Sequence, residues 1–514
     1  MNKSLLLSLA TITILTSSLN AETMFERIQT MEIQIQKLQK ELDNLRKEKA
    51  SNATKETQTE KLSQNKEEEE DDEDEESIDE KIADIQENLT ELNKHTNGNH
   101  LKFGVDYRFT IENMQYTMAD SSTQKNDAFI TNRLWMNMNW AATKHLSFTG
   151  QLAYNKAFGQ RSGASDPATA GLESFDWISN ENAYDDKLRV RSAYFFYKNN
   201  TFLTTDIPWT FSVGRRPSAN GHLINFRDDD HAASPMGHTV NVEFDGLSSK
   251  FGLENITGID GMYVKFCAGR ALSNAAPKLT TTPYSSVDDG TNPDIDLIGL
   301  IVVPYNDGQY SLNTQYYYAN NLIDTINPND YRDGFVTVGG LHSFTANFIA
   351  NGIGDGIADF LDDTIFFVSG AMSVTDPNKD QGMLGSAKGE SKTGYSYWVG
   401  TQFPSLLSED GRWGLEYNHG SQYWRSITYA EDTNIGSKVA ARGDAYEAYF
   451  TEPLIEDILS LQIRYTYIDY KYTGSNGFFG NTTGAAILIT PDMPNGENYV
   501  DKAQDIRFYL RYKY

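Results

Sequence analysis

From Leu101 onward the chain alternates between two kinds of side chain. Leu101, Phe103, Val105, Tyr107 and Phe109 are apolar, and Lys102, Gly104, Asp106 and Arg108 fill the gaps. A period of two is the period of a β-strand, so each segment has one apolar and one polar face. The last segment states the case most sharply. Ile506, Phe508, Leu510, Tyr512 and Tyr514 share one face, and Arg507, Arg511 and Lys513 share the other. A wall with hydrocarbon outside and water inside satisfies both faces. Sixteen such segments can be read, starting near Leu101, Phe129, His145, Lys187, Pro208, His238, Gly261, Asp294, Gln309, Phe335, Asp363, Thr393, Arg412, Lys438, Ile458 and Lys502.

The connections alternate in length. Residues 111–128, 159–186, 217–237, 271–293 and 473–501 are long, whereas 141–144, 305–308 and 452–457 are short. Asn306-Asp307-Gly308 and Glu409-Asp410-Gly411 carry hairpin-turn chemistry. The fold expected is all-β: a transmembrane antiparallel β-barrel of about sixteen strands over residues 98–514, preceded by an α-helical coiled coil. A periplasmic N-terminus puts the short turns in the periplasm and the long loops outside. Phe508, Leu510, Tyr512 and Tyr514 resemble the terminal signal read by the barrel-assembly machinery, which makes that machinery and outer-membrane lipid the expected partners.

Ahead of the strands lie four shorter segments. Residues 1–21 read as a secretory signal: Lys3, an apolar stretch from Leu5 to Leu15, and a cut after Ala21. Residues 22–49 carry Met24, Ile28, Met31, Ile35, Leu38, Leu42 and Leu45 at alternating spacings of four and three, a coiled coil. Residues 50–77 contain an unbroken acidic run, Glu67 to Glu76, and read as an extended linker. Residues 78–97 hold a second short heptad segment, Ile78, Ile82, Ile85, Leu89 and Leu92. The mixed Ile, Leu and Met seam does not fix an oligomer number; analogy with porins favours a homotrimer.

Composition agrees with a barrel. The mean hydropathy is −0.53, too polar for a helical membrane protein, yet 12% of residues are aromatic, which suits interfacial girdles. A net charge of −27 argues against nucleic-acid binding. With Cys267 alone, no intramolecular disulfide can form.

With the apolar faces assigned to lipid, Arg108, Arg133, Arg189, Arg191, Arg216, Lys265, Arg464, Arg507 and Arg511 point inward, and Asp106 and Glu416 are the clearest inward acids. Such a wall favours anions if the lumen is open, or else pins loops by ion pairing. In general porins the third long loop folds inside. Here that loop carries Asp228, Asp229 and Asp230, expected to face Arg189, Arg191 and Arg216 across a constriction. No cofactor or metal is expected. Two weaker metal patterns are His222, His231 and His238 beside those aspartates, and a calcium-like spacing of Asn351, Asp355, Gly356, Asp359 and Asp362. His419 and Ser421 share an outward face, as in outer-membrane phospholipases, with Asn434 as a candidate to orient the histidine.

Five stretches together carry a family likeness: Phe129 to Trp135, Gly150 to Phe158, Ile207 to Pro217, Gly414 to Ser421, and Gly436 to Tyr446. The chain resembles a porin-like outer-membrane family of epsilonproteobacteria that carries the label of unknown function. The resemblance implies outer-membrane location and architecture and brings no catalytic residue. The function expected is passive diffusion of small hydrophilic solutes with an anion preference. The alternatives are a structural barrel linking the outer membrane to the cell wall or a periplasmic partner, and an outer-leaflet lipid hydrolase.

Overall fold

The computed structural model describes residues 102–158, 188–218, 220–272, 294–330, 333–354, 356–429, 431 and 433–514. The signal segment, coiled coil, acidic linker and second heptad lie outside the described residues. The strands are β1 (Lys102–Met118), β2 (Thr123–Ala141), β3 (Leu146–Ala157), β4 (Arg189–Asn199), β5 (Trp209–Ser218), β6 (Val240–Gly252), β7 (Tyr263–Leu272), β8 (Ile295–Asn306) and β9 (Tyr310–Thr325). They continue as β10 (Phe335–Asn351), β11 (Ile365–Pro377), β12 (Thr393–Pro404), β13 (Arg412–Gly420), β14 (Ile427–Thr428), β15 (Gly443–Ile455), β16 (Leu459–Tyr470) and β17 (Val500–Lys513).

Each wall strand pairs antiparallel with its neighbours, β13 pairs with β15 past β14, and β17 returns to β1. The wall is therefore a closed barrel of sixteen strands, and β14 lies off it, pairing parallel with the start of β6. Closure leaves no open sheet edge. The expected strand starts fall within two residues of those observed except at β2 and β15. β2 begins earlier because residues 111–128 are no long loop: β1 runs to Met118 and a tight turn follows. Asp120 Oδ1 accepts from Ser122 N at 2.8 Å, and Ser121 takes a φ of 71°. The ladder continues there while the side chains lose their apolar alternation, which hid it from the sequence. β15 begins later because residues 438–442 are drawn into the lumen.

The outward face is apolar. Ile298 is 64% exposed and Ile506 56%, and Leu312, Phe344, Val368, Leu415 and Ile463 are exposed with them. A ring of such residues on a closed wall is a lipid contact. Tyr397, Tyr417, Tyr446 and Tyr467 form a row across β12, β13, β15 and β16, with centroids 5.8, 5.1 and 6.4 Å apart.

The inward face is not uniformly polar, which corrects the simple two-face reading. Val240, Val242, Phe244, Ile295, Leu297, Tyr317 and Leu341 face in from β6 to β10 and pack with Ile427 of β14 and with Leu384 and Phe479 from the loops. β8 is therefore apolar on both sides, because loops rather than water cover its inner face. Gly394 on β12 permits one close approach: a Cβ there would sit 2.2 Å from the backbone of Tyr423.

Candidate functional site in the barrel lumen

The segment 220–239 between β5 and β6 folds into the barrel. Its Leu223, Ile224 and Phe226 are apolar in a polar stretch, and burial follows: Leu223 and Ile224 join Phe367, Trp398 and Val439. Phe226 stacks on Phe367 at 5.7 Å. The wall also holds the segment's backbone, since Gln402 Nε2 donates to Phe226 O at 2.8 Å and Gln315 Oε1 accepts from Met236 N at 2.9 Å. His238 is wholly buried, with its ring nitrogens 2.8 Å from Ser369 Oγ and 2.9 Å from Ser396 Oγ. Burial pushes its pKa down to about 3, so the imidazole is neutral.

A second inward segment, 421–442, joins the first through a cluster of buried charge. Arg227 is 3.4 Å from Glu431 and 3.5 Å from Glu447, and Lys438 is 2.5 Å from both Glu416 and Glu447. Trp398 Nε1 donates to Glu416 at 2.8 Å, Ser437 Oγ to Glu431 at 2.6 Å, and Thr466 Oγ1 to Glu447 at 2.9 Å. Arg464 from β16 acts on the same Glu447. Three cations thus meet three carboxylates, drawn from two loops and three wall strands. A third segment, 471–499, is tied in by arginines: Arg442 donates to Thr473 O at 2.7 Å and Gly484 O at 2.9 Å, and Arg425 donates to Ser475 O and Gly477 O. Burial and the neighbouring Arg425 bring Arg442 down to about 9.

The aspartates of 220–239 do not face Arg189, Arg191 and Arg216. Asp228 and Asp230 reach the β1–β17 seam instead. Asp230 is 3.0 Å from Arg511 and 2.7 Å from Lys513, and Asp228 accepts from Tyr509 OH at 2.6 Å. Arg511 also holds Asp106 at 2.6 Å, and Arg133 lies 3.3 Å from the same carboxylate. The reason lies in the apolar triplet: seating Leu223 and Ile224 against Trp398 aims the following acids at the β1–β17 seam. Asp229 takes a left-handed φ of 50° at the end of a short 3-10 turn, Ile224–Asp228.

The remaining inward cations divide into two groups. Arg191 pairs with Glu243 at 3.1 Å and stacks on Trp135, whose other contact is Arg133 at 3.6 Å from the ring centroid. Arg507 pairs with Glu112 at 3.1 Å, Arg108 lies over Tyr509, and Arg189 is half-buried on β4. Arg216 and Lys265 differ: among the described residues neither meets a carboxylate. Inward acids are more numerous than the sequence suggested. Glu112, Glu447 and Asp505 are buried on the same strand parity as Arg108, Tyr449 and Arg507, so extending the alternation would have found them. Glu431 and Lys438 lie in loops and had no such signal.

The terminal aromatics are placed as the alternation implies: Tyr512 is 42% exposed, Tyr514 78%, and Phe508 and Leu510 are partly so on the outer face. His419 is oriented by Asp444 at 2.8 Å, not by Asn434, which donates to Glu112. Ser421 Oγ accepts from Tyr395 N at 2.8 Å and makes no hydrogen bond with His419. No group of three or more metal-ligating side chains gathers among the described residues, and Asp355 of the calcium-like spacing lies outside them.

A closed wall with an apolar outer band and a charge-bearing inner face defines an outer-membrane β-barrel. The chain belongs to the family described as Protein of unknown function (DUF3373), whose profile matches residues 123–514. No curated protein matches. Solved structures similar to it include OmpT, an outer membrane protein of Vibrio cholerae, at 13% identity and TM-score 0.41, covering 80% of this chain and 97% of that one. The trimer form of that protein gives 13% and 0.43, covering 81% and 100%. Salmonella typhi OmpF in complex with daunomycin gives 12% and 0.44, covering 81% and 98%.

Proposed function

We propose that the protein is a porin-like channel of the outer membrane, with its N-terminal segment in the periplasm, through which small hydrophilic solutes diffuse. The observation that carries this reading is the closed sixteen-strand wall whose inner face bears charge and is narrowed by the inward segment 220–239. Sixteen strands enclose a bore wide enough for water, and inward loops set its width. Passage through such a bore needs no chemistry. Anion preference rests on Arg216 and Lys265, because Arg133, Arg191, Arg507 and Arg511 are neutralised by carboxylates. A homotrimer suits a barrel of this kind.

The test is single-channel conductance of the refolded full chain in a planar bilayer under a salt gradient. Steady small steps with an anion-biased reversal potential are expected. Replacing Arg216 and Lys265 with Gln should reduce that bias more than replacing Arg133 and Arg511. A folded barrel that never conducts would sink the channel reading. It would favour the second reading, a structural barrel closed by its own loops. The burial of inner-wall residues such as Thr345, Ser373, Gln462 and Arg464 supports that alternative.

A further inference from the structure

Three cations line one stretch of the inner wall with no counter-charge among the described residues. Lys250 on β6 stands directly opposite Lys265 on β7 in the strand register, and Arg216 lies on the adjacent β5. Like charges in register repel one another. The present partners relieve this only weakly. Lys250 sits 3.8 Å from the centre of the Tyr263 ring, Lys265 donates to Ser234 Oγ, and Arg216 donates to Ser212 Oγ and Ser248 Oγ and lies over Tyr194. Among the described residues no carboxylate meets any of the three, unlike Arg191, Arg227, Lys438, Arg507 and Arg511, each of which has one.

Beside them is a partly enclosed cavity of about 40 Å³. Its polar lining is Arg216, Lys265, Ser234, Ser248 and Gln315, with Cys267 beside them, and its apolar lining includes Val240, Phe244, Leu297, Ile301 and Tyr317. A space of that size holds two or three waters, and so an anion of a few heavy atoms. A guanidinium and an ammonium lining one cavity suit a carboxylate, which a guanidinium can bind through two parallel hydrogen bonds. The apolar lining gives a short hydrocarbon tail a place that chloride or phosphate cannot use.

We propose that this cavity is a binding site for small organic monoanions, carboxylates with a short apolar tail, at which such solutes pause in the lumen. The carboxylate meets Arg216 and Lys265, Lys250 adds long-range attraction, and the tail lies against Phe244 and Leu297. Each methylene of tail that fits should tighten binding about four-fold, the value of a buried CH₂. The inference rests on the channel reading for the solute's route, but the site itself can be tested apart from conduction.

Cys267 supplies the reporter, being the sole cysteine of the chain and lining the cavity. The refolded full chain in detergent is treated with an anionic and a cationic methanethiosulfonate of similar size. The anionic reagent should label Cys267 about ten-fold faster or more, the gain expected from a focused field of one sign. Butyrate should slow that labelling, acetate should need a higher concentration, and butyramide should leave it unchanged. Arg216→Gln with Lys265→Gln should abolish the charge preference, and Lys250→Gln should lessen it without removing protection by butyrate. If the variants do not fold, the comparison of butyrate with butyramide on the unaltered chain still decides. Equal rates for the two reagents, equal protection by amide and acid, or no labelling by either would overturn the site. Conductance with charge-blind labelling would overturn the site and leave the channel; charge-selective, butyrate-protected labelling in a silent barrel would support the site and sink the channel.

Discussion

Arg227 has no exposed side-chain surface and meets two carboxylates from different parts of the chain. Breaking a buried pair strands the partner charges and costs about 3–5 kcal/mol. Arg227→Met should therefore release the segment 220–239, read as faster proteolysis within it while the wall stays folded; Arg227→Lys should restore part of the protection. His238 predicts a response to pH. Its folded pKa, about 3, lies below the unfolded value near 6.5. The group thus contributes stability above pH 6.5 that is lost as pH falls toward 3, at about 1.4 kcal/mol per unit. Trp398 and Trp424 flank the ring at 5.7 and 5.5 Å, so their fluorescence should shift on acidification, and His238→Gln should flatten that shift. Neither role was visible in the sequence: His238 stood among three histidines beside aspartates, and only the fold sends it to two serines instead.

At the scale of the strand, lipid imposes a period and the sequence records it. Ile298 and Leu297 are adjacent, yet one faces out at 64% exposure and the other lies in the lumenal core at 9%. Ile298→Arg should destabilise the refolded barrel by about 2–4 kcal/mol if it lies near the bilayer midplane, measured by denaturant unfolding in lipid vesicles. Leu297→Ala should cost about 2–5 kcal/mol through a cavity and leave the lipid face intact. The strand order and most strand starts were legible because hydrocarbon tolerates few exceptions on the outer face. The inner face was not, because loops can cover it with either apolar or charged groups. Thus β8, whose segment Ile295 to Val303 is apolar but for Asp296 and Gly299, gave no sign of which side met lipid.

At the scale of the whole molecule, three segments distant in sequence share one lumen. Deleting residues 222–236 should raise single-channel conductance several-fold in a channel narrowed by that segment, and should leave a barrel plugged chiefly by 421–442 and 471–499 silent. The wall and its filling also draw on different forces. Outside, apolar side chains face lipid tails as apolar as themselves, so expelling water contributes little there. Inside, the cluster of Val240, Leu297, Leu322, Met383 and Phe479 is held as the core of a water-soluble protein is held. Hydrophobic association of that kind weakens on cooling, whereas the hydrogen-bonded ladder of the wall has no such dependence. In the cold the filling should therefore loosen within an intact wall, making temperature a means of working the lumen without touching the barrel.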